Sequence, residues 1–351
     1  MMGLLGDRSP RARAGRAGRR LAVALALAVG AAASGLSAQE PEMAFFRIAT
    51  GGVNGTYYPI GAIIGNAISN PAGSRPCDEG GSCGVPNLIA AAVSSHGSVA
   101  NVEAIQTGAV ESAFAQADVV HDAYFARRSF AGRPPMGNLR VIANLFAERV
   151  QVVVRKDAGI RDVRDLVGKR VSLDEPGSGT LLMARAVLEA YGVAEARLSA
   201  EYLKPGPAAS MMQRGELDAF LLVAGVPTAV IADLVADGVA ELLPLEGEPV
   251  EAILERHPFV ARSPVPADTY RRDQPEIPTI GVGALWVVSA DVPEERVYAI
   301  CRALWNDATR VLLDGGHPAG KQIQLASALD SVDIPLHPGA ERCYADIEAK
   351  R

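Results

Sequence analysis

FFRIATGGVNGTYYPIG, residues 45–61, decides the fold. Phe45–Thr50 is a short apolar run with the residue types of a strand. Gly51, Gly52 and Gly55 break it, and Thr56 stands where a helix over about Tyr57–Ser69 would be capped. Pro59 is tolerated in a first turn, where its missing N–H costs nothing. The segment therefore predicts strand, glycine-rich loop and helix, with backbone N–H groups exposed at the helix start. The same junction recurs at Ser94–Asn101, Gln116–Asp118, Pro176–Thr180 and Ala224–Thr228. A helix N-terminus of this kind favours an anion.

Working outward, strands alternate with helices along the chain. Strands are expected at Leu88–Val93, Ser112–Ala115, Leu139–Phe146, Gln151–Arg155, Arg170–Leu173, Glu201–Leu203, Leu217–Val223, Glu241–Leu245 and Ile280–Ser289. Helices are expected between them, with one long helix over Glu294–Asp314 and a last one near Gly339–Lys350. Such alternation predicts an α/β fold with parallel sheets. Two blocks with a late return strand predict two lobes, crossed near Ala147–Gln151 and Gly281–Leu285. In open α/β sheets ligands bind beyond the carboxyl ends of strands, which is where the Gly/Ser/Thr loops fall. The expected organisation is a signal peptide over 1–38, a first part of lobe I over 43–148, lobe II over 149–282, and a return to lobe I with C-terminal helices over 283–351.

The start of the chain reads as an export signal. Six arginines between Arg8 and Arg20 precede an apolar run, Leu21–Ala33, and Leu36-Ser37-Ala38 offers cleavage after Ala38. The run is short for a membrane span. The expected location is the periplasm. The whole chain carries a net charge of −6. Without the six arginines and Asp7 of the signal, 28 basic and 39 acidic residues remain, near −11. That balance argues against nucleic acid and anionic membranes as partners. An acidic ligand would have to be held by local donors.

Four cysteines in an exported chain predict disulfides. Three connectivities are possible. Cys77–Cys83 with Cys301–Cys343 is favoured because the first pair is local. Zinc at Cys77 and Cys83 lacks the usual spacing and a nearby histidine. The five histidines are scattered, so no metal, cofactor or catalytic set is expected.

The candidate ligand residues come from the junctions. In the first, Asn54, Gly55, Thr56 and Tyr57 combine close backbone approach with donors; G-x-G-x-x-G spacing is absent. The second offers Ser95, Ser98 and Asn101, with Ser98 equally readable as an N-cap. Gln116 follows a strand, while Asp118 reads as structural. Gly177, Ser178, Gly179 and Thr180 form an oxyanion nest before a helix, without the Gly-Lys-Ser/Thr of a P-loop or a G-x-S-x-G elbow. Gly225 marks a weaker turn. Trp286 reads as core.

These segments together resemble the TAXI family of solute receptors, the extracytoplasmic subunits of one branch of TRAP transporters. The resemblance rests on Gly51–Gly61, on Gly97, Ser98, Val99 and Asn101, on Ala113–Asp118, on Gly177–Thr180 and on Leu336–Ala340. It implies a two-lobed, type II periplasmic-binding-protein-like fold with the ligand cleft between lobes. It also implies a monomeric receptor, not an enzyme, that captures a small organic acid or amino acid such as glutamate, glutamine or 2-oxoglutarate. Delivery would be to a TRAP membrane permease subunit driven by an ion gradient, usually sodium. A receptor serving an ABC transporter or a sensor kinase is the first alternative, and an exported enzyme the second. His96 stands where that family more usually has glycine, and the Cys77–Cys83 loop looks elaborated.

Overall fold

A computed structural model describes residues 43–350. The expected signal peptide and its cleavage point lie outside the described residues. The strands are β1 (Ala44–Ala49), β2 (Ser69–Asn70), β3 (Val85–Pro86), β4 (Leu88–Val93), β5 (Ser112–Gln116) and β6 (Leu139–Arg155). They continue with β7 (Arg170–Ser172), β8 (Ser199–Glu201), β9 (Ala219–Ala224), β10 (Ala240–Leu243), β11 (Val260–Arg262) and β12 (Ile280–Ser289). The α-helices are α1 (Tyr57–Ile68), α2 (Ser98–Gln106), α3 (Ala117–Phe125), α4 (Gly179–Ala190) and α5 (Pro205–Gln213). After them come α6 (Ala229–Ala236), α7 (Glu248–Arg256), α8 (Glu294–Leu304), α9 (Asp307–Gly316) and α10 (Pro338–Glu348).

The strand β6 organises the sheet. Its first part, Leu139–Arg149, runs antiparallel to β12 from Ser289 back to Gly281. Its last part pairs antiparallel with β9, Arg149 opposite Ala224 and Val154 opposite Ala219, and with β10. One strand thus passes from one wing of the sheet to the other. The path reads β3-β2-β4-β1-β5-β12-β6-β9-β7-β8. The pairs β1–β4, β1–β5, β7–β8 and β7–β9 are parallel, as alternation with helices requires. The expectation of parallel sheets holds for those pairs and fails at the centre, where β12 and β6 run against their neighbours, and at the antiparallel pairs β2–β4, β10–β6 and β11–β12.

Other local expectations shift for identifiable reasons. Two strands, Leu139–Phe146 and Gln151–Arg155, are expected with a crossing near Ala147–Gln151, yet Glu148 and Arg149 lie inside one continuous β6. Arg149 satisfies itself by donating to Pro264 O at 2.9 Å. The long helix expected over Glu294–Asp314 is two helices. Asn306 ends the first and caps the second, its Oδ1 accepting from Thr309 N at 2.7 Å. Between Gly247 and His257 the structure adds α7, which sequence patterning does not find.

The apolar interior follows the wings. Trp286, Phe46 and Phe114 pack edge to face under β1, β5 and β12, and the indole N–H donates to Ser112 Oγ at 3.1 Å. Phe220, Met212 and Ile231 fill the space among β9, α5 and α6. Both expected disulfides form. Cys77–Cys83 closes a surface loop, and fully buried Cys301–Cys343 ties α8 to α10.

Candidate functional site

The starts of α1, α2 and α4 face one another across a cavity of about 60 Å³. Each helix begins there because glycine and hydroxyl residues end the preceding strand or loop. Of the sequence-derived candidates, Gly55, Thr56, Tyr57, Ser98, Gln116, Ser178, Gly179 and Thr180 line it. Asn54, Ser95, Asn101, Gly177 and Gly225 stand behind this wall or bridge the wings. Asn54 lies over the start of α5, where a Cβ on Gly206 would come 2.6 Å from its Oδ1. Ser95 Oγ donates to Asn101 Oδ1 at 2.6 Å, and Asn101 Nδ2 donates to Thr50 O and Phe114 O. Gly177 O accepts from Ala100 N at 3.0 Å.

The hydroxyls divide by what they do. Thr56 donates across the wings to Gly225 O at 3.1 Å rather than capping α1. Tyr57 donates to Glu148 Oε2 at 2.6 Å. Ser98, Ser178 and Thr180 instead accept from Gln116 N, Leu181 N and Val223 N. Each therefore keeps its own hydrogen, which Ser178 and Thr180 can turn toward Asp174 and Ser98 toward the Tyr57 hydroxyl, or all three toward an acceptor in the cavity. Gln116 is buried, and its Oε1 has no protein partner among the described residues.

Sequence reasoning missed the charged part of the wall. Glu148, Asp174, Glu175 and Lys204 all line the cavity. Asp174 and Glu175 follow β7, and Lys204 follows β8, so the rule that sites form beyond strand carboxyl ends was a usable signal for them. Glu148, in mid-strand, carried no such signal. Lys204 Nζ pairs with Glu175 Oε1 at 3.2 Å, and His96 Nδ1 meets Glu175 Oε2 at 2.8 Å. Lys204 and Glu175 come from one wing and His96 from the other, so the cluster spans the cleft mouth.

Burial dominates the acid groups. It pushes the Glu148 carboxyl up to about 8, against the pull of the Tyr57 hydrogen bond and with a further push from Asp118. Burial likewise raises Asp174 to about 6, opposed by the Glu175 N–H and by the hydroxyls of Thr180 and Ser178. Asp118 also rises to about 6 through burial, countered by the Val119 N–H. Glu148 is thus a neutral acid at neutral pH.

A pH signature follows. In the unfolded chain Glu148 ionises near 4.5, and in the fold only near 8. The folded state then holds more protons between those values, so stability falls as pH rises through that window. Glu148→Gln removes this dependence. The variant should match the wild type below about pH 4.5 and exceed it by on the order of 5 kcal/mol well above pH 8. Thermal melts of both proteins across this range check it. Parallel curves would mean that Glu148 ionises freely in the fold.

Comparison with known proteins adds the following. The model of the NMT1-like family matches residues 48–347. Malate-bound MatC from Rhodopseudomonas palustris superposes with a TM-score of 0.51 at 12% identity, over 87% of this chain and 98% of that one. The alkanesulfonate-binding protein SsuA from Xanthomonas axonopodis pv. citri, bound to MOPS, gives 0.46 at 17% identity, over 87% and 85%. The aliphatic sulphonate binding protein SsuA from Escherichia coli gives 0.41 at 14%, over 89% and 93%. At these identities the likeness is one of fold. The architecture is the α/β fold expected from the sequence, in the arrangement of periplasmic binding proteins.

Proposed function

The chain belongs to the NMT1-like family, and from that premise we propose that it is a periplasmic receptor capturing a small carboxylate-bearing solute in the cleft between its wings. The observation that carries the reading is the convergence of three helix starts and of the Ser98, Ser178 and Thr180 hydroxyls on one cavity. Those groups suit an anionic end. The wings act as lobes that close on the solute. Thr56–Gly225 and Ala100–Gly177 are the contacts that closure makes. A solute touching both lobes favours the closed form by its differential affinity. The closed receptor then delivers its cargo to a TRAP-type permease. Glutamate, glutamine and 2-oxoglutarate are the solutes of first choice.

The test is ligand-induced stabilisation of residues 39–351 by amino acids, dicarboxylates and sugar acids. A true solute at a hundredfold excess over its Kd should add about 2.7 kcal/mol to stability. A protein freed of ligand by refolding that responds to no carboxylate in the panel would refute the reading.

A further inference from the structure

The cavity wall sets acceptors beside its donors. The helix starts and hydroxyls donate, and beside the start of α1 stands Glu148, whose Oε2 is taken by Tyr57 at 2.6 Å while no described residue hydrogen-bonds its Oε1. Gln116 Oε1 lines the same cavity without a protein partner. No basic side chain pairs with Glu148 among the described residues. Lys204, the lysine of the cavity wall, is engaged by Glu175. A solute carboxylate on the helix starts would therefore bring its neighbouring substituent against these adjacent acceptors.

Resting on the carboxylate reading above, we propose that Glu148 is the specificity-determining residue of the cleft: its carboxyl meets the substituent beside the solute's carboxylate and, by lacking or carrying a proton, chooses between an amino acid and the corresponding 2-oxo acid. An ionised Glu148 accepts from an ammonium and repels a carbonyl oxygen. A protonated Glu148 donates to the carbonyl and offers the ammonium only a neutral partner. A charge-assisted hydrogen bond is the stronger kind, and its loss from a buried site is costly. The selectivity of the receptor thus depends on pH. The groups facing Glu148 are Tyr57 from α1 and Asp118 from α3, with Asp174, Glu175, Lys204 and His96 around the rest of the cavity. Glu148→Gln leaves all of these side chains in place and removes the coupling of Tyr57 and Asp118 to the Glu148 charge.

The experiment is calorimetric titration of wild type and E148Q with L-glutamate and with 2-oxoglutarate. The probes share both carboxylates and differ in the ammonium or carbonyl beside one of them. Measurements at about pH 6 and about pH 9 bracket the titration of a buried glutamate. In the wild type, the preference for L-glutamate over 2-oxoglutarate should rise by about tenfold or more between the two pH values. In E148Q it should change by less than about twofold. A preference constant with pH in the wild type, or an equal change in E148Q, would overturn the assignment while leaving the receptor reading in place. Binding of neither acid to the wild type at either pH would overturn this inference, while the carboxylate reading would stand or fall on the wider panel described above.

Discussion

Gly179→Ala should weaken solute capture on the order of 10- to 100-fold, from one added methyl group. A Cβ at this position would lie 2.1 Å from Gln116 Oε1, 2.6 Å from its Cδ and 3.0 Å from Ser98 Oγ. Those partners belong to the opposite wing, so the clash exists only when the cleft is closed. Gln116 has little room to yield, being 2% exposed with its own N–H bonded to Ser98. Forcing a methyl into a packed contact costs about 1–3 kcal/mol. That cost falls on the closed form, and apparent affinity drops by the fraction of competent molecules lost. Gly137→Ala, in open space, is the control and should bind as the wild type does. Calorimetric titration with a solute that stabilises the protein reads the difference. Equal affinities for G179A and the wild type would mean that capture does not need this approach of the wings.

Asn101→Ala should destabilise the fold by about 3–5 kcal/mol. Asn101 is fully buried, and its amide donates to Thr50 O at 2.6 Å and Phe114 O at 2.7 Å. Its Oδ1 accepts from Ser95 Oγ. One side chain thereby joins the end of β1, the strand β5 and the loop before α2. Alanine leaves Phe114 O without this side-chain donor, at a desolvation penalty of about 1–3 kcal/mol, removes one of two donors to Thr50 O, and leaves a cavity where the buried amide stood. Denaturant unfolding measures the loss. A cost below about 1 kcal/mol together with weakened solute binding would return Asn101 to the role of a ligand residue.

How much was legible depended on range. The junctions at Thr56, Ser98 and Ser178 were readable because glycine and hydroxyl clusters end strands by local rules. Their convergence follows from alternation of strand and helix, which sends every such loop to the same edge. The wall's acid groups were not readable in that way. Glu148 in a strand looks like an exposed charge, and only the packing of α1 and α3 over it makes it a buried acid. Likewise, Asn101 and Ser95 have the residue types of ligand donors, and the carbonyls that use them come from residues remote in sequence. The unbroken course of β6 was not legible because the charged Glu148 and Arg149 divide its apolar pattern into two runs, and the partners that hold them there are remote in sequence.

The central claim is that solute and closure are coupled across this cleft. Spin labels at Gln106 on α2 and Ser210 on α5, both exposed, report the separation of the wings by electron–electron dipolar spectroscopy. With a solute that stabilises the protein, the account predicts a shorter and narrower distance distribution than in the ligand-free receptor. A distribution that saturating solute leaves unchanged would contradict it.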